Sequence, residues 1–322
     1  MAFLMNFLYT QLFLTLPYPT SDFSGKTIIV TGSNVGLGLE AARHFTRLNA
    51  ETVILGVRNL EKGEVARKSI EETTSKLGVV EVWQLDLASY ESTKQFAKRV
   101  EGLKRLDAVV ENAGIATKRY RVAEDNESTI TTNVVSTYLL ALMVLPKLRE
   151  TATKFNTVPH LTIVSSEVHS FTSFPEKSSH NIFRMLNDKE TANMADRYNV
   201  SKLLEVFCTR ELAGRVKGNG KPEVIINYLN PGLCHSELAR DAGWRLAVMK
   251  FLIARTTEHG SRTLVHAVEA GPETHGQYLS NCTISEPAPL VLSEEGGKAQ
   301  KRVWDELLQK LESVQPGIMT NI

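Results

Sequence analysis

Tyr198 and Lys202 stand four residues apart in the stretch Arg197-Tyr198-Asn199-Val200-Ser201-Lys202. On a helix that spacing puts the phenol and the ammonium on one face. At ~100° per residue, the apolar set Val200, Leu203, Leu204 and Phe207 points almost the opposite way, so the pair has a face of its own. A phenol with an ordinary pKa of about 10 is a poor acid–base group at neutral pH. A fixed cation beside it favours the phenolate and lowers that value. Such a pair could pass a proton to and from an oxygen. The plainer reading is a tyrosine and a lysine on a solvated helix face. Spacing does not choose between them, because the chain holds a second Tyr-x-x-x-Lys, from Tyr90 to Lys94.

The surrounding elements separate the two pairs. Residues 26–31 (K-T-I-I-V-T) form a short apolar, β-branched run that reads as a buried strand. Gly32-Ser33-Asn34-Val35-Gly36-Leu37-Gly38 follows, and then a helical pattern over 39–48. Strand, glycine turn and helix in that order suit a pyrophosphate: glycines let backbone come close, and the helix start offers free N–H groups. A second strand, 52–57, ends at Val57-Arg58. An acidic residue at that edge accepts from a ribose 2′-hydroxyl, whereas an arginine suits a 2′-phosphate. The alternative for Arg58 is an ordinary surface arginine. Strands are also expected at 79–85 (ending at Asp86), 106–110 (before Asn112-Ala113-Gly114), 161–164 (before Ser165-Ser166), 223–229 (before Asn230-Pro231-Gly232) and 277–279.

Helices are expected over 60–76, 90–100, 128–149 (which contains Asn133), from Tyr198 onward, and over 246–254, 258–269 and 299–311. Strands alternating with helices at this spacing predict an α/β fold: a single Rossmann-type domain with a doubly wound parallel sheet of about seven strands. Ligands in such sheets bind at the carboxyl ends of strands. The motifs fall there, apart from Asn133, Tyr198 and Lys202, which lie on helices. The Tyr90–Lys94 pair lies on the adenine side, far from a nicotinamide, and takes the structural reading.

The whole chain bounds the rest. With 322 residues and 42% hydrophobic content it has enough material for one large core. A net charge of +1 argues against a nucleic-acid partner. Cys208, Cys234 and Cys282 are widely spaced and make no metal pattern, so a reducing, cytoplasmic setting and no metal site are expected. Residues 1–16 carry no charged side chain, and the run is too short for a spanning helix. Packing of residues 1–20 on the body as an apolar extension of the 21–322 domain is expected. Peripheral membrane contact through 1–16 is the alternative.

The ordered set Thr31-Gly32-x-x-x-Gly36-x-Gly38, Asp86, Asn112-Ala113-Gly114, Asn133, Ser166, Tyr198-x-x-x-Lys202 and Pro231-Gly232 with Ser236 resembles the short-chain dehydrogenase/reductase family. The flavour of S-N-V-G-L-G-L-E, V-R-N-L-E-K-G and R-Y-N-V-S-K-L-L-E is similar to its retinol-dehydrogenase-like branch, and most of all to fungal members linked to secondary metabolism. The resemblance spans roughly residues 25–240 and implies roles. Tyr198 would be the general acid in reduction or the base in oxidation. Lys202 would lower the phenol's pKa and bind the nicotinamide ribose. Ser166 would hold the substrate oxygen, and Asn133 would help hold a water relay. NADP(H), more than NAD(H), would sit against Gly32, Ser33, Asn34, Gly36, Leu37, Gly38, Arg58, Asp86, Leu87, Asn112, Ala113, Gly114, Pro231, Gly232 and Ser236.

The chain departs from the family pattern in places. Glu111 stands before Asn112-Ala113-Gly114 where a second Asn is common, with little effect expected. His169 replaces a common Gly and is a candidate to face the substrate. The interval from Ser166 to Tyr198 is far longer than the usual dozen or so residues. Segments 167–197 and about 233–275 are expected on the substrate side, with Phe174 and Phe183 in the pocket wall. The alternative is an excursion whose aromatics pin it to the core. The expected activity is an NADP(H)-dependent oxidoreductase interconverting a ketone or aldehyde with an alcohol on a lipophilic small molecule, with a homodimer as an admissible assembly. An isomerase or dehydratase without net redox, and a non-catalytic dinucleotide sensor, are the competing readings.

Overall fold

The computed structural model describes residues 2–235 and 253–322. Eight strands form one sheet in the order β10-β9-β8-β7-β4-β1-β2-β3. They are β1 (Thr27–Thr31), β2 (Thr52–Val57), β3 (Val80–Gln84), β4 (Ala108–Glu111), β7 (His160–Val164), β8 (Ile225–Asn230), β9 (Tyr278–Ser280) and β10 (Thr283–Ser285). Every pairing is parallel except that of β9 with β10, where Ser280 faces Thr283 in an antiparallel edge. The sequence pointed to the first seven strands. It missed β10 and a small hairpin, β5 (Val122–Ala123) with β6 (Asn126–Glu127). Both are too short to show a hydrophobic period.

All five residues of β1 are buried, because helices cover both faces of the sheet. One face carries α2 (Gly36–Arg47) and α3 (Leu60–Thr74), with helix Thr257–Glu269. The other carries α4 (Tyr90–Glu101), the short α5 (Ser128–Ile130), α6 (Ser136–Phe155) and α8 (Arg197–Val216), with helix Glu294–Val314 outside them. Capping sets the helix starts. Asn59 accepts from the Lys62 N–H at the head of α3, and Ser89 does the same for Ser92 at α4. The run Ser128–Phe155 is apolar enough to cross a membrane, yet 94% of its most apolar stretch is buried inside the fold. All three cysteines are buried thiols.

The N-terminal helix α1 (Ala2–Leu12) and the chain after it pack on the body. Gln11 donates to the Leu233 carbonyl at 2.9 Å and to that of Ile253 at 3.3 Å, and it accepts from the Leu233 N–H. The Leu16 N–H donates to His259, and Arg262 donates to the Leu16 carbonyl. This is the packing arrangement expected for the extension. It also explains Gly232, which adopts φ +81° and whose missing Cβ would lie 2.6 Å from Gln11 Oε1. Gln11→Ala leaves the Leu233 N–H without its partner and should cost about 1–3 kcal/mol of stability, read by urea melts. An unchanged midpoint would mean that the helix is not held through Gln11.

Candidate active site

The site lies where the strand order reverses, between β1 and β4. The turns after these two strands are stitched together. Thr31 Oγ1 accepts from the N–H groups of Asn112 and Ala113 at 3.0 and 2.9 Å, and Asn112 Nδ2 donates to the Thr31 carbonyl. Gly32 is so close to Ala113 that a Cβ would lie 2.9 Å from its Cα. Gly38 is tighter still, with Asn112 Nδ2 at 2.6 Å from an added Cβ. Gly36 differs. Its φ is +64°, and a Cβ there would meet nothing within 4 Å. The helix it opens has no side-chain cap and no acidic residue in its first turn. Open space before uncapped N–H groups fits the pyrophosphate of a dinucleotide.

The other expected cofactor residues divide by environment. Asn34, Leu37, Asp86 and residues 112–114 are half-buried around these turns, and Arg58 is exposed at the end of β2. Among the described residues no hydrogen bond or ion pair engages the Arg58 guanidinium, while its carbonyl accepts from Gln84. Ser33 and Leu87 are turned inward. The Ser33 hydroxyl donates to the Val30 carbonyl, and Leu87 is a core side chain. At both positions the side chain is engaged within the protein. Pro231 is held by Arg255, which donates to its carbonyl. Ser236 lies outside the described residues.

Glu111 is buried, and burial pushes its carboxyl up to about 8. The Thr31 hydroxyl donates to it at 3.4 Å.

Asn133 sits in a π-helical turn, Thr131–Val135, between α5 and α6. Such turns are common at functional sites because they re-aim a side chain within a helix. Its Oδ1 accepts from the Ile115 N–H, and its Nδ2 donates to the Ile115 carbonyl and to Ser201 Oγ. Asn133 thus ties the loop after β4 to α8 at Ser201, the residue before Lys202. Ser166 follows β7 and lies beside the Tyr198 phenol, where it helps to lower the phenol's pKa. The Lys202 ammonium stands 5.7 Å from the Tyr198 ring centre. Asn133, Ser166, Tyr198 and Lys202 are therefore brought together.

Sequence reasoning missed one member of this group. Glu205, buried one turn along α8, binds Lys202 Nζ with both carboxylate oxygens, at 2.8 and 3.0 Å. The third ammonium proton goes to the Val164 carbonyl at 2.9 Å. All three donors of Lys202 are thus taken up by protein. Burial works against the charge on Lys202, but Glu205 and Tyr198 together outweigh it and the ammonium is held above its ordinary pKa. Burial pushes Glu205 up to about 7 against the pull of Lys202. The balance at Tyr198 differs from the expectation. Burial raises the phenol and Lys202 lowers it, but Glu205 raises it further, so its pKa lies above the ordinary value. The signal available in sequence was the i, i+3 spacing of Lys202 and Glu205.

His169 does not face a substrate. Its Nδ1 donates to the Ser166 carbonyl at 2.7 Å, and its Nε2 accepts from the Ala288 N–H at 3.0 Å. Burial lowers its pKa, so the neutral ring serves as a strut behind Ser166. Phe174 and Phe183 are also core residues, at 0% and 4% exposure, and Phe174 packs 6.2 Å from Phe207. The excursion is pinned by its aromatics, the alternative weighed for it. Glu306 caps α7 (Ile182–Leu186) by accepting from the N–H groups of Ile182 and Phe183.

With this geometry in view, comparison with known proteins decides the family. A short chain dehydrogenase profile matches residues 26–155. The short chain dehydrogenase/reductase dmxR8 of Cryptosporiopsis sp. (strain 8999) is 55% identical over 98% of this chain and 100% of its own length. The chain belongs to the short-chain dehydrogenase/reductase family. Two further fungal relatives are the short-chain dehydrogenase anuD of Penicillium roqueforti and the short chain dehydrogenase atnD of Emericella nidulans. The first is 43% identical over 98% of this chain and 84% of its own, the second 47% identical over 86% and 90%. Among solved structures, the E. coli oxidoreductase yciK superposes with a TM-score of 0.61 at 21% identity, covering 83% of this chain and 99% of its own. A short chain dehydrogenase of E. coli CFT073 complexed with NADPH gives 0.60 at 24% identity, covering 82% and 99%. These two share the fold.

Proposed function

We propose that this short-chain dehydrogenase/reductase uses NADP(H) to interconvert a ketone or aldehyde with an alcohol on a lipophilic small molecule, in fungal secondary metabolism. The observation that carries this reading is the Ser166–Tyr198 contact with the charged Lys202 behind it. The cofactor supplies the hydride, and the protein supplies position and proton. Ser166 holds the carbonyl oxygen, and Tyr198 gives it a proton as negative charge develops there. A phenol held above its ordinary pKa stays protonated at neutral pH, which suits the donor role in reduction. Phe171, 59% exposed and five residues beyond Ser166, favours an apolar substrate.

The preference for the phosphorylated cofactor rests on Arg58, exposed at the end of β2 after the buried, uncharged Val57. A guanidinium grips a phosphate through paired, charge-assisted hydrogen bonds. Arg58→Ala should weaken NADPH binding by about 1–3 kcal/mol and leave NADH nearly unchanged, as read by fluorescence titration. Equal affinity of the unaltered protein for both cofactors would overturn this part. The activity itself is tested by following NADPH consumption across ketones and aldehydes of graded size. Turnover of substrate without NADPH oxidation would instead indicate an isomerase or dehydratase. Cofactor binding without any turnover would indicate a sensor.

A further inference from the structure

Lys202 has two neighbours with opposite demands. Tyr198 is on its own face of α8 one turn before it, and Glu205 is on the same helix three residues after it. The second contact is the stronger. Both Glu205 oxygens are within 3.0 Å of Nζ, whereas the phenol ring centre is 5.7 Å away. Lys202 and Glu205 are 4% and 2% exposed, so little water screens either charge. A buried ammonium clasped by a buried carboxylate presents far less net charge to a third group than an ammonium alone.

Other groups face Glu205 from each element packed against it. Ser165, just after β7, donates to the Lys202 carbonyl at 3.1 Å and helps to lower the Glu205 pKa. From α6, the Tyr138 phenol donates to its carbonyl at 2.6 Å. Within α8 the titratable neighbours are Tyr198, Lys202 and Cys208. Burial raises both Tyr138 and Cys208 well above their ordinary values, so neither is charged at neutral pH. Lys202 and, once the pH passes about 7, Glu205 are then the two charges of this group at Tyr198.

We propose that Glu205 is a positioning residue for the reaction: it clamps Lys202 against the end of β7, offsets the charge that Lys202 presents to Tyr198, and so sets the pH at which the phenol ionises. The proposal rests on Tyr198 being the proton-exchanging group. It makes the i+3 carboxylate, rather than the Tyr–Lys pair alone, the determinant of the enzyme's working pH. Removing the carboxylate's charge while keeping its shape leaves an ammonium near Tyr198 without its counter-ion, so the phenol should ionise at lower pH.

The test reads the phenol directly, in the cofactor-free protein. Ultraviolet tyrosinate absorbance is followed against pH, and the signal of Tyr198 is isolated by subtracting the curve of Tyr198→Phe in the same background. Glu205→Gln should move the Tyr198 inflection down by about one pH unit or more, a tenfold change in its ionisation constant. The rising limb of the oxidative pH–rate profile should move the same way. Glu205→Asp, which keeps the charge, should leave the inflection close to that of the unaltered protein, and Glu205→Asn should shift it as Gln does. Superimposable curves for Glu205→Gln and the unaltered protein would overturn the inference. So would equal shifts in the Asp and amide variants, since a merely structural role predicts those. If neither amide variant folds, Glu205 is a stability element and the inference is likewise lost. A shifted Tyr198 inflection with full activity in Tyr198→Phe would leave this coupling standing and sink the catalytic assignment instead.

Discussion

Tyr198→Phe is expected to bind NADPH as the unaltered protein does and to turn over about 10²–10⁴-fold more slowly, the contribution of one positioned acid. The substitution keeps the ring and removes only the proton donor. Hydride addition turns a carbonyl oxygen into an alkoxide, and that charge needs a proton from a group within about 3 Å. Ser166, beside the phenol and braced from behind by His169, is the residue proposed to hold the oxygen there. Lys202→Met should cost more. It removes the cation that pulls the phenol's pKa down and leaves the buried Glu205 without its counter-ion, and the alkaline inflection of the oxidative rate should move up or disappear. The control is Tyr90→Phe. That phenol donates to Asp125 at 2.6 Å and accepts from Asn126 at 2.8 Å, while Lys94 pairs with Glu91. Tyr90 therefore fastens α4 to the β5–β6 hairpin, and its loss should leave the rate intact. Turnover is read from NADPH absorbance and binding from its fluorescence. Full activity in Tyr198→Phe, or none in Tyr90→Phe, would mean that the site has been placed on the wrong pair.

What could be read from sequence was what depends on spacing or on backbone. Gly32 and Gly38 are fixed by close approach, and Gly36 by its left-handed φ and open surroundings. Those demands appear directly as glycine. Tyr198 and Lys202 share a helix face because of their spacing, and strands β1, β2 and β4 announce themselves as short buried apolar runs. What could not be read were the partners that charged and polar residues find through space. Glu205 reads as one more acidic residue on a long helix, and glutamate is seldom buried. Only the fold shows that this turn of α8 presses against the end of β7. The role of His169 could not be read because one of its two ring partners, the Ala288 N–H that donates to Nε2, lies 119 residues away and is brought there only by the fold. Phe174 and Phe183 illustrate the same limit. Apolar side chains in a long polar excursion suit a ligand wall or an anchor equally well, and burial against Phe207 and Glu306's helix decided for the anchor.

Arg197 is the clearest case of a role hidden inside a legible motif. It directly precedes Tyr198 and is 1% exposed. Its Nε lies 3.6 Å from Glu127 Oε2 and its Nη1 lies 3.7 Å from Glu176 Oε1. Those carboxylates are themselves 0% and 8% exposed. Glu127 also accepts from the N–H and hydroxyl of Thr129, at the start of the helix that carries Asn133. Glu176 belongs to the excursion between Ser166 and Tyr198. One guanidinium thus joins the three segments that bear Asn133, Ser166 and Tyr198. Burial lowers its pKa against the pull of Glu127 and Glu176. Removing one partner from such a cluster leaves uncompensated buried charge, which typically costs about 3–5 kcal/mol. Arg197→Met should therefore lower stability by about that amount, seen as a Tm fall of roughly 5–10 °C and an earlier urea midpoint. The triple replacement Arg197→Met, Glu127→Gln, Glu176→Gln leaves no unpaired ion and should recover most of the loss. Below its melting range, Arg197→Met should still bind NADPH, because the cofactor-side turns after β1 and β4 do not depend on this cluster. A single variant as stable as the unaltered protein, or a triple variant less stable than the single, would show that the three charges do not act as one unit.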